Sequence, residues 1–338
     1  MFESRYFFVM KTMNDDILSK IKRPIESDLV RLNEVMKQAL SSSNPLLSQI
    51  VDYYLQTKGK QIRAILVLLA ACMTGTVKEE TIYGAAAVEL LHNATLIHDD
   101  VVDESKLRRG RETLNAVWDN RVAVLAGDYF VSKVLRMALL TGETSVIAVL
   151  GELGAVLAQG EIDQISVVQK KEIDEEAYFR VIRQKTASLF KVCMQIGALT
   201  AGATTEQQNA LMCFGEKLGL CFQIRDDIFD YFDSKETGKT SGCDLKEGKV
   251  TLPLIYALTH GAEPERSEIA ALIRKQELTG DDVRRLAEYA KKSGGIGYAE
   301  SVMARLRDEA AEVLRPFLPS DVATALLAVL DYTLERKK

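Results

Sequence analysis

The stretch LIHDDVVDESKLRRG, Leu96–Gly110, places Asp99, Asp100 and Asp103 within five positions, with apolar residues before them and an arginine pair after. Asp99 and Asp103 are four apart, which puts two side chains on one face of an α-helix. Carboxylates this close repel one another unless a cation stands among them. A second cluster answers the first. FQIRDDIFDYF, Phe222–Phe232, carries Asp226, Asp227 and Asp230 in the same DDxxD spacing, again behind an apolar stretch. One such cluster reads equally well as a solvated acidic helix end, whereas two point to a divalent cation. Mg2+ takes one or two carboxylates per ion and completes its shell with water and substrate phosphates. Two clusters facing one another would clamp a diphosphate through shared ions.

The surrounding pattern is helical. Six prolines are present and none falls between Pro45 and Pro253, so nothing there breaks a helix interior. Ile62, Ile65, Leu66, Leu69 and Ala70, then Val88, Leu91, Thr95 and Ile97, follow the helical period. Strand and hairpin signals are absent. The reading is an all-α chain with helices near 15–40, 45–56, 60–73, 79–103, 113–140, 144–169, 174–201, 205–234, 251–260, 265–276, 280–294, 296–313 and 319–336. No linker or repeat divides residues 13–338, which read as one domain. Residues 1–12 read as a disordered extension.

Composition narrows the function. The chain has 338 residues, 47% of them hydrophobic, and a net charge of −5, which excludes the broad basic surface of a nucleic-acid binder. Cys72, Cys193, Cys213, Cys221 and Cys243 show no CxxC or metal-site spacing, as expected of a reduced, cytoplasmic protein. No apolar run reaches the ~18 residues of a membrane span. An anionic substrate would therefore be held by local cations. Lys60 and Arg63 in KGKQIRA open a helix, where free N–H groups favour anions. Arg108 and Arg109 follow the first cluster, Lys185 and Thr186 sit in RQKTASLF, and Lys239 and Lys249 follow the second cluster in TGKTSGCDLKEGKVTLP. Each alone reads as a surface cation; together they suffice for two diphosphates.

As a set, the paired DDxxD motifs, the GKxxR segment, RRG, KT and GK…DLxEGKxTLP resemble the trans-isoprenyl diphosphate synthases from about residue 15 to the C-terminus. The resemblance implies a bundle of long helices around a deep cavity, a homodimer, and Mg2+, three ions with substrate bound. It implies that Asp99, Asp100, Asp103, Asp226, Asp227 and Asp230 hold the metals, with Asp244 supporting the second motif. Arg108, Lys185, Lys239 and Lys249 would grip the allylic diphosphate, and Lys60, Arg63, His92 and Arg109 the isopentenyl diphosphate. Thr186 and Gln223 would line the reacting carbons beside Lys185 and Arg108. His98 is read as structural, and Glu161 and Asp163 as candidate supports behind the site. The family's GGKRxRP stands here as KGKQIRA, without the first glycine, an arginine and the proline.

The same resemblance implies a prenyltransferase that joins isopentenyl diphosphate to a farnesyl or geranyl primer through an allylic carbocation. Ala94 and Thr95, five and four positions ahead of Asp99, are small where short-chain members carry aromatics. Gly84–Ala87 continue the small residues, and Gly84 to Asp99 spans roughly 22 Å at ~1.5 Å per residue. An octaprenyl-length product for a quinone side chain, delivered to a membrane, is expected, with Tyr129 or Phe130 as the floor. Alanines are also simply good helix formers. A short-chain synthase, a subunit of a heteromeric synthase and a terpene cyclase are the competing readings; the intact DDIFD argues against the last, and six aspartates against a non-catalytic subunit. The basic end, Arg336–Lys338, reads as solvated.

Overall fold

The computed structural model describes residues 17–56, 59–232 and 242–336. Lys239, Lys58 and the expected extension over residues 1–12 lie outside the described residues. The first helices are α1 (Glu26–Ala39), α2 (Pro45–Leu55), α3 (Ile62–Thr74) and α4 (Glu79–Val102). A two-stranded ladder, β1 (Leu107–Arg108) and β2 (Arg111–Glu112), precedes α5 (Leu114–Val117), α6 (Asn120–Leu140) and α7 (Thr144–Lys170). Next come α8 (Glu175–Ile182), α9 (Ser188–Ala201), α10 (Thr205–Asp230) and α11 (Cys243–Lys246). The last are α12 (Leu252–His260), α13 (Glu265–Ile273), α14 (Gly280–Lys292), α15 (Gly295–Leu314) and α16 (Asp321–Glu335). The fold is all-α.

Two compact units share the chain. The first holds the described residues up to Glu152 with Val192–Met212 and Pro316–Ala328; the second holds Leu153–Lys191, Cys213–Arg315 and the residues from Val329.

In the first unit α4 packs against α1, α3 and α6. Ala85, Ala86, Ala87 and Val88 are successive and fully buried, so every face of α4 is covered at that level. A helix apolar all round belongs in an interior. Small residues let backbones approach closely: a Cβ on Gly197 of α9 would lie 2.1 Å from the Val67 carbonyl oxygen of α3, and one on Gly84 would lie 2.6 Å from Ile196. Gly84 is therefore a packing glycine. In the second unit α12 is the hub. Leu254, Ala257 and Leu258 meet Val283, Leu286 and Ala290 of α14, while Leu252 and Ile255 join Ile224, Ile228, Val302 and Met303. Caps fix several helix starts: Asn44, Asp119 and Asp174 each accept a backbone N–H from the first turn that follows.

Five expectations are corrected. Strands do occur: Arg109 and Gly110 take positive φ of 53° and 75°, forming the two-residue turn that matches strand twist, although Arg-Gly is not one of its usual pairs. The helix expected over 174–201 is interrupted by a π-helical turn at Arg183–Ala187, and that over 113–140 breaks at Trp118–Asp119. α11 was not anticipated. Finally, α7 is long and apolar enough to cross a membrane by length and composition, with a mean hydropathy of 1.4 over 18 residues, of which 22% are buried. Glu152, Glu161 and Asp163 punctuate it, so it holds no unbroken apolar run.

Candidate active site

In the first unit α4 delivers the first acidic cluster at its C-terminal end. Asp100 is buried, Asp99 half-buried and Asp103 exposed. Arg108, on the strand just beyond, donates from Nε (2.8 Å) and Nη2 (2.7 Å) to Asp100 Oδ1. The β-turn folds the chain back so that the arginine pair returns to the cluster. Arg108 and Arg109 line a cavity of about 40 Å³ with Asp100, Leu96, Tyr53 and Tyr54. The Arg109 guanidinium lies beside Gly59, with Nη1 2.8 Å from where a Cβ would stand, which brings the KGKQIRA and RRG segments together. Lys60 is exposed and Arg63 half-buried, on either side of Gln61, the left-handed N-cap of α3 (φ 55°).

His92 is buried two turns ahead of the cluster. Burial, reinforced by Arg63, Arg109 and Arg108, holds its imidazole well below the usual range, so it is neutral at pH 7. His98 is a packing residue, its Nε2 3.2 Å from the Val124 carbonyl oxygen and its ring filling the space over Gly127. Ala94 is buried; Thr95 is half-buried and donates its hydroxyl to the His92 carbonyl at 2.9 Å. Phe130 is fully buried edge-on to Tyr54. Tyr129 is corrected: its hydroxyl donates to the Leu40 and Ser41 carbonyls under Lys133, so the edge of α1 and not the interior holds it.

The second unit carries a cavity of about 250 Å³ lined by Lys185, Thr186, Gln223, Asp227, Asp244 and Lys249, with Val167, Val168, Val181 and Ile255 as apolar wall. The π-turn delivers Lys185 and Thr186. Gly160 of α7 makes room, since a Cβ there would stand 3.0 Å from the Lys185 backbone nitrogen. Lys185 Nζ bonds Glu161 (2.6 Å to Oε1) and Gln164 (3.4 Å), so Glu161 is the acid that holds this lysine; no contact of this kind is seen for Asp163. Thr186 donates to Gln223 Oε1 (2.7 Å), Gln223 Nε2 to Asp227 Oδ1 (2.8 Å), and Tyr178 Oη to Asp227 Oδ2 (2.6 Å). Burial, then repulsion from Asp244, pushes the Asp227 carboxyl up to about 8. Burial, then Asp230, raises Asp244 likewise.

The three acids of the second motif divide their work. Asp227 faces the cavity. Asp230 spends both oxygens on the backbone N–H groups of Cys243 and Asp244, each at 3.0 Å, and so caps α11. Asp226 pairs with Arg336, whose Nη2 lies 2.7 Å from Oδ1 and 3.1 Å from the Phe222 carbonyl, with the guanidinium over the Phe222 ring. The expectation of a solvated basic end is therefore corrected at Arg336, which is held because Arg225 also grips its carbonyl oxygen at 3.2 Å. Lys249 contacts Glu247 and Asp244.

Sequence reading missed Tyr54 and Tyr178 and took Arg336 as solvated. Tyr178 stands seven residues ahead of Lys185, a helical spacing that the π-turn at Arg183–Ala187 breaks. Among the described residues no three His, Cys, Asp or Glu side chains form a ready-made metal cage. That suits Mg2+, which asks for few carboxylates. Asp227, held toward its protonated form by burial and then by Asp244, and Asp244, raised by burial and then by Asp230 with Lys249 3.9 Å away, are a carboxyl pair whose chemistry fits a divalent cation.

Each unit of this helical fold thus carries a cavity lined by both acidic and basic side chains. Residues 44–290 match the family model of polyprenyl synthetases. The chain is 37% identical over 298 residues to the octaprenyl diphosphate synthase of Escherichia coli K12, covering 88% of this chain and 91% of that one. It superposes on a polyprenyl synthase from Caulobacter crescentus CB15, complexed with calcium and isoprenyl diphosphate, with a TM-score of 0.89, 31% identity, and coverage of 95% and 98%. A geranylgeranyl pyrophosphate synthase from Bacteroides thetaiotaomicron gives a TM-score of 0.83 at 38% identity, covering 95% and 100%. The chain belongs to the polyprenyl synthetase family and is a prenyltransferase.

Proposed function

We propose that this enzyme condenses isopentenyl diphosphate with a farnesyl or geranyl diphosphate primer and repeats the step to an all-trans, octaprenyl-length diphosphate. The observation that carries the reading is the second-unit cavity, where Lys185, Thr186, Gln223 and Asp227 meet apolar wall. Asp99, Asp103, Asp226 and Asp227 would hold Mg2+, which when bound would supply compensation for charge developing on the leaving diphosphate. Lys185 and Lys249, with Arg108 on the first motif, add fixed positive charge to the departing group, electrostatic stabilisation that needs no reorganisation. Arg63, Arg109 and Lys60 bind isopentenyl diphosphate, and neutral His92 lends a hydrogen bond without adding charge. The C–O bond to the allylic carbon breaks, the isopentenyl double bond attacks that carbon, and a proton leaves to the departed diphosphate. Val167, Val168, Val181 and Ile255 keep water from the cation.

An octaprenyl relative that shares 37% of its residues supports the long chain, as do small Ala94 and Thr95. The exposed stripe Leu125, Leu135 and Leu139 on α6 supports a homodimer, and an insoluble product calls for delivery to a membrane. Asp99→Asn and Asp226→Asn are each expected to lower the condensation rate by at least ~10²-fold, the scale of losing one charge-stabilising group. Unchanged Mg2+-dependent rates in both would remove the aspartate motifs from the mechanism.

A further inference from the structure

Glu89 is an acid in an interior otherwise built of Ala85–Val88, Leu90 and Ala94, and it is only 5% exposed. Neither the acidic motifs nor the basic segments account for it. Its Oε2 lies 3.4 Å from the backbone nitrogen of Ala64, which donates to it. Ala64 is the third residue of α3, whose N-cap, Gln61, makes no side-chain cap bond. A carboxylate from α4 thus serves one of the free N–H groups at the start of α3. Ala64 also stands where the motif GGKRxRP has proline, which would offer no N–H.

The second partner is electrostatic. Burial pushes the Glu89 carboxyl up; Arg63, then the Ala64 N–H and Arg109, pull it back toward the charged form. His92, three residues further on the same helix face, feels Arg63 and Arg109 as well, and Arg108 besides. Buried Cys193 also senses both Arg63 and Glu89. Glu89 is therefore the acid of a buried group that also holds Arg63 and Arg109, read above as cations of the isopentenyl diphosphate site. Buried charges persist where they are paired, and the like charges of Arg63 and Arg109 repel one another.

We propose that Glu89 is a positioning residue that fixes Arg63, and the start of α3 that carries it, in the geometry that receives the diphosphate of isopentenyl diphosphate. The inference rests on the reading of Arg63 as a ligand of that substrate. Glu89→Gln keeps an acceptor for the Ala64 N–H and removes only the charge. It is expected to raise KM for isopentenyl diphosphate on the order of tenfold, the size of coupling between contacting residues, while KM for the allylic primer and kcat stay near the parent values. In an Arg63→Ala background the same change should have no further effect on KM.

The arms separate the two claims. If Arg63→Ala leaves KM for isopentenyl diphosphate unchanged, the ligand reading fails and this inference with it. If Arg63→Ala raises that KM but Glu89→Gln does not, only the positioning role is overturned. An equal rise for both substrates, or additive effects in the double variant, would also overturn it, because a general structural defect behaves that way. Should Glu89→Gln not fold, recovery of folding in Arg63→Ala/Glu89→Gln supports the pairing, and continued failure overturns it.

Discussion

At the residue scale, Asp227 has the most informative environment. Burial first and Asp244 second push its carboxyl up to about 8, above the ~3.9 of a free aspartate. The folded chain thus holds a proton that the unfolded chain releases between those values. The stability this group lends is complete below about pH 4 and is lost as pH rises through about 8. Metal-free protein is expected to melt progressively lower across that window, and Asp227→Asn should flatten the slope; an unchanged slope would contradict the assignment. Because a metal displaces the same proton, Mg2+ affinity should climb with pH over the same range. Tyr178 donates to this carboxyl from a buried position. Tyr178→Phe should destabilise by about 0.5–1.5 kcal/mol at neutral pH, the worth of a hydrogen bond to an uncharged group, measured by denaturant unfolding. The aspartates were legible from spacing alone, since like charges four apart demand an explanation. Tyr178 was not, because a lone tyrosine in a helix gives no hint of which distant side chain its hydroxyl will meet.

At the element scale, α4 carries both the first acidic cluster and the small residues ahead of it. Ala94 is buried on that helix, so Ala94→Phe should shorten the product ladder sharply, read by mass after dephosphorylation; unchanged lengths would sink the chain-length argument. α9 and α3 meet at Gly197, whose missing side chain lets the Val67 carbonyl approach to 2.1 Å of the Cβ position. Gly197→Ala should cost roughly 1–3 kcal/mol through overpacking, checked by chemical denaturation. Proline-free sequence and the helical period gave the long helices with ends within a few residues. The π-turn at Lys185 and the Arg109–Gly110 hairpin were hidden because each depends on close approach of other elements. The π-turn packs against Gly160 on α7, and the hairpin is held by the pairing of Arg108 with Asp100.

At the scale of the whole molecule, surface and chemistry must agree with one enzyme. α6 leaves Leu125, Leu135 and Leu139 each about two-thirds exposed, at spacings that share a helix face. Leu135→Glu with Leu139→Glu is expected to convert a dimer to a monomer in sedimentation, and an unchanged mass would place the subunit contact elsewhere. The sequence announced the charge balance and the helical class but not this stripe, since apolar residues of a buried face and of a subunit contact look alike in one dimension. The most direct test of the account is to incubate the purified protein with Mg2+, labelled isopentenyl diphosphate and farnesyl diphosphate, and to size the dephosphorylated products by mass. The account predicts a ladder that ends at octaprenyl length and vanishes when the metal is chelated. A ladder that stops at geranylgeranyl length would contradict the long-chain reading, and no elongation by folded protein would contradict its catalytic independence.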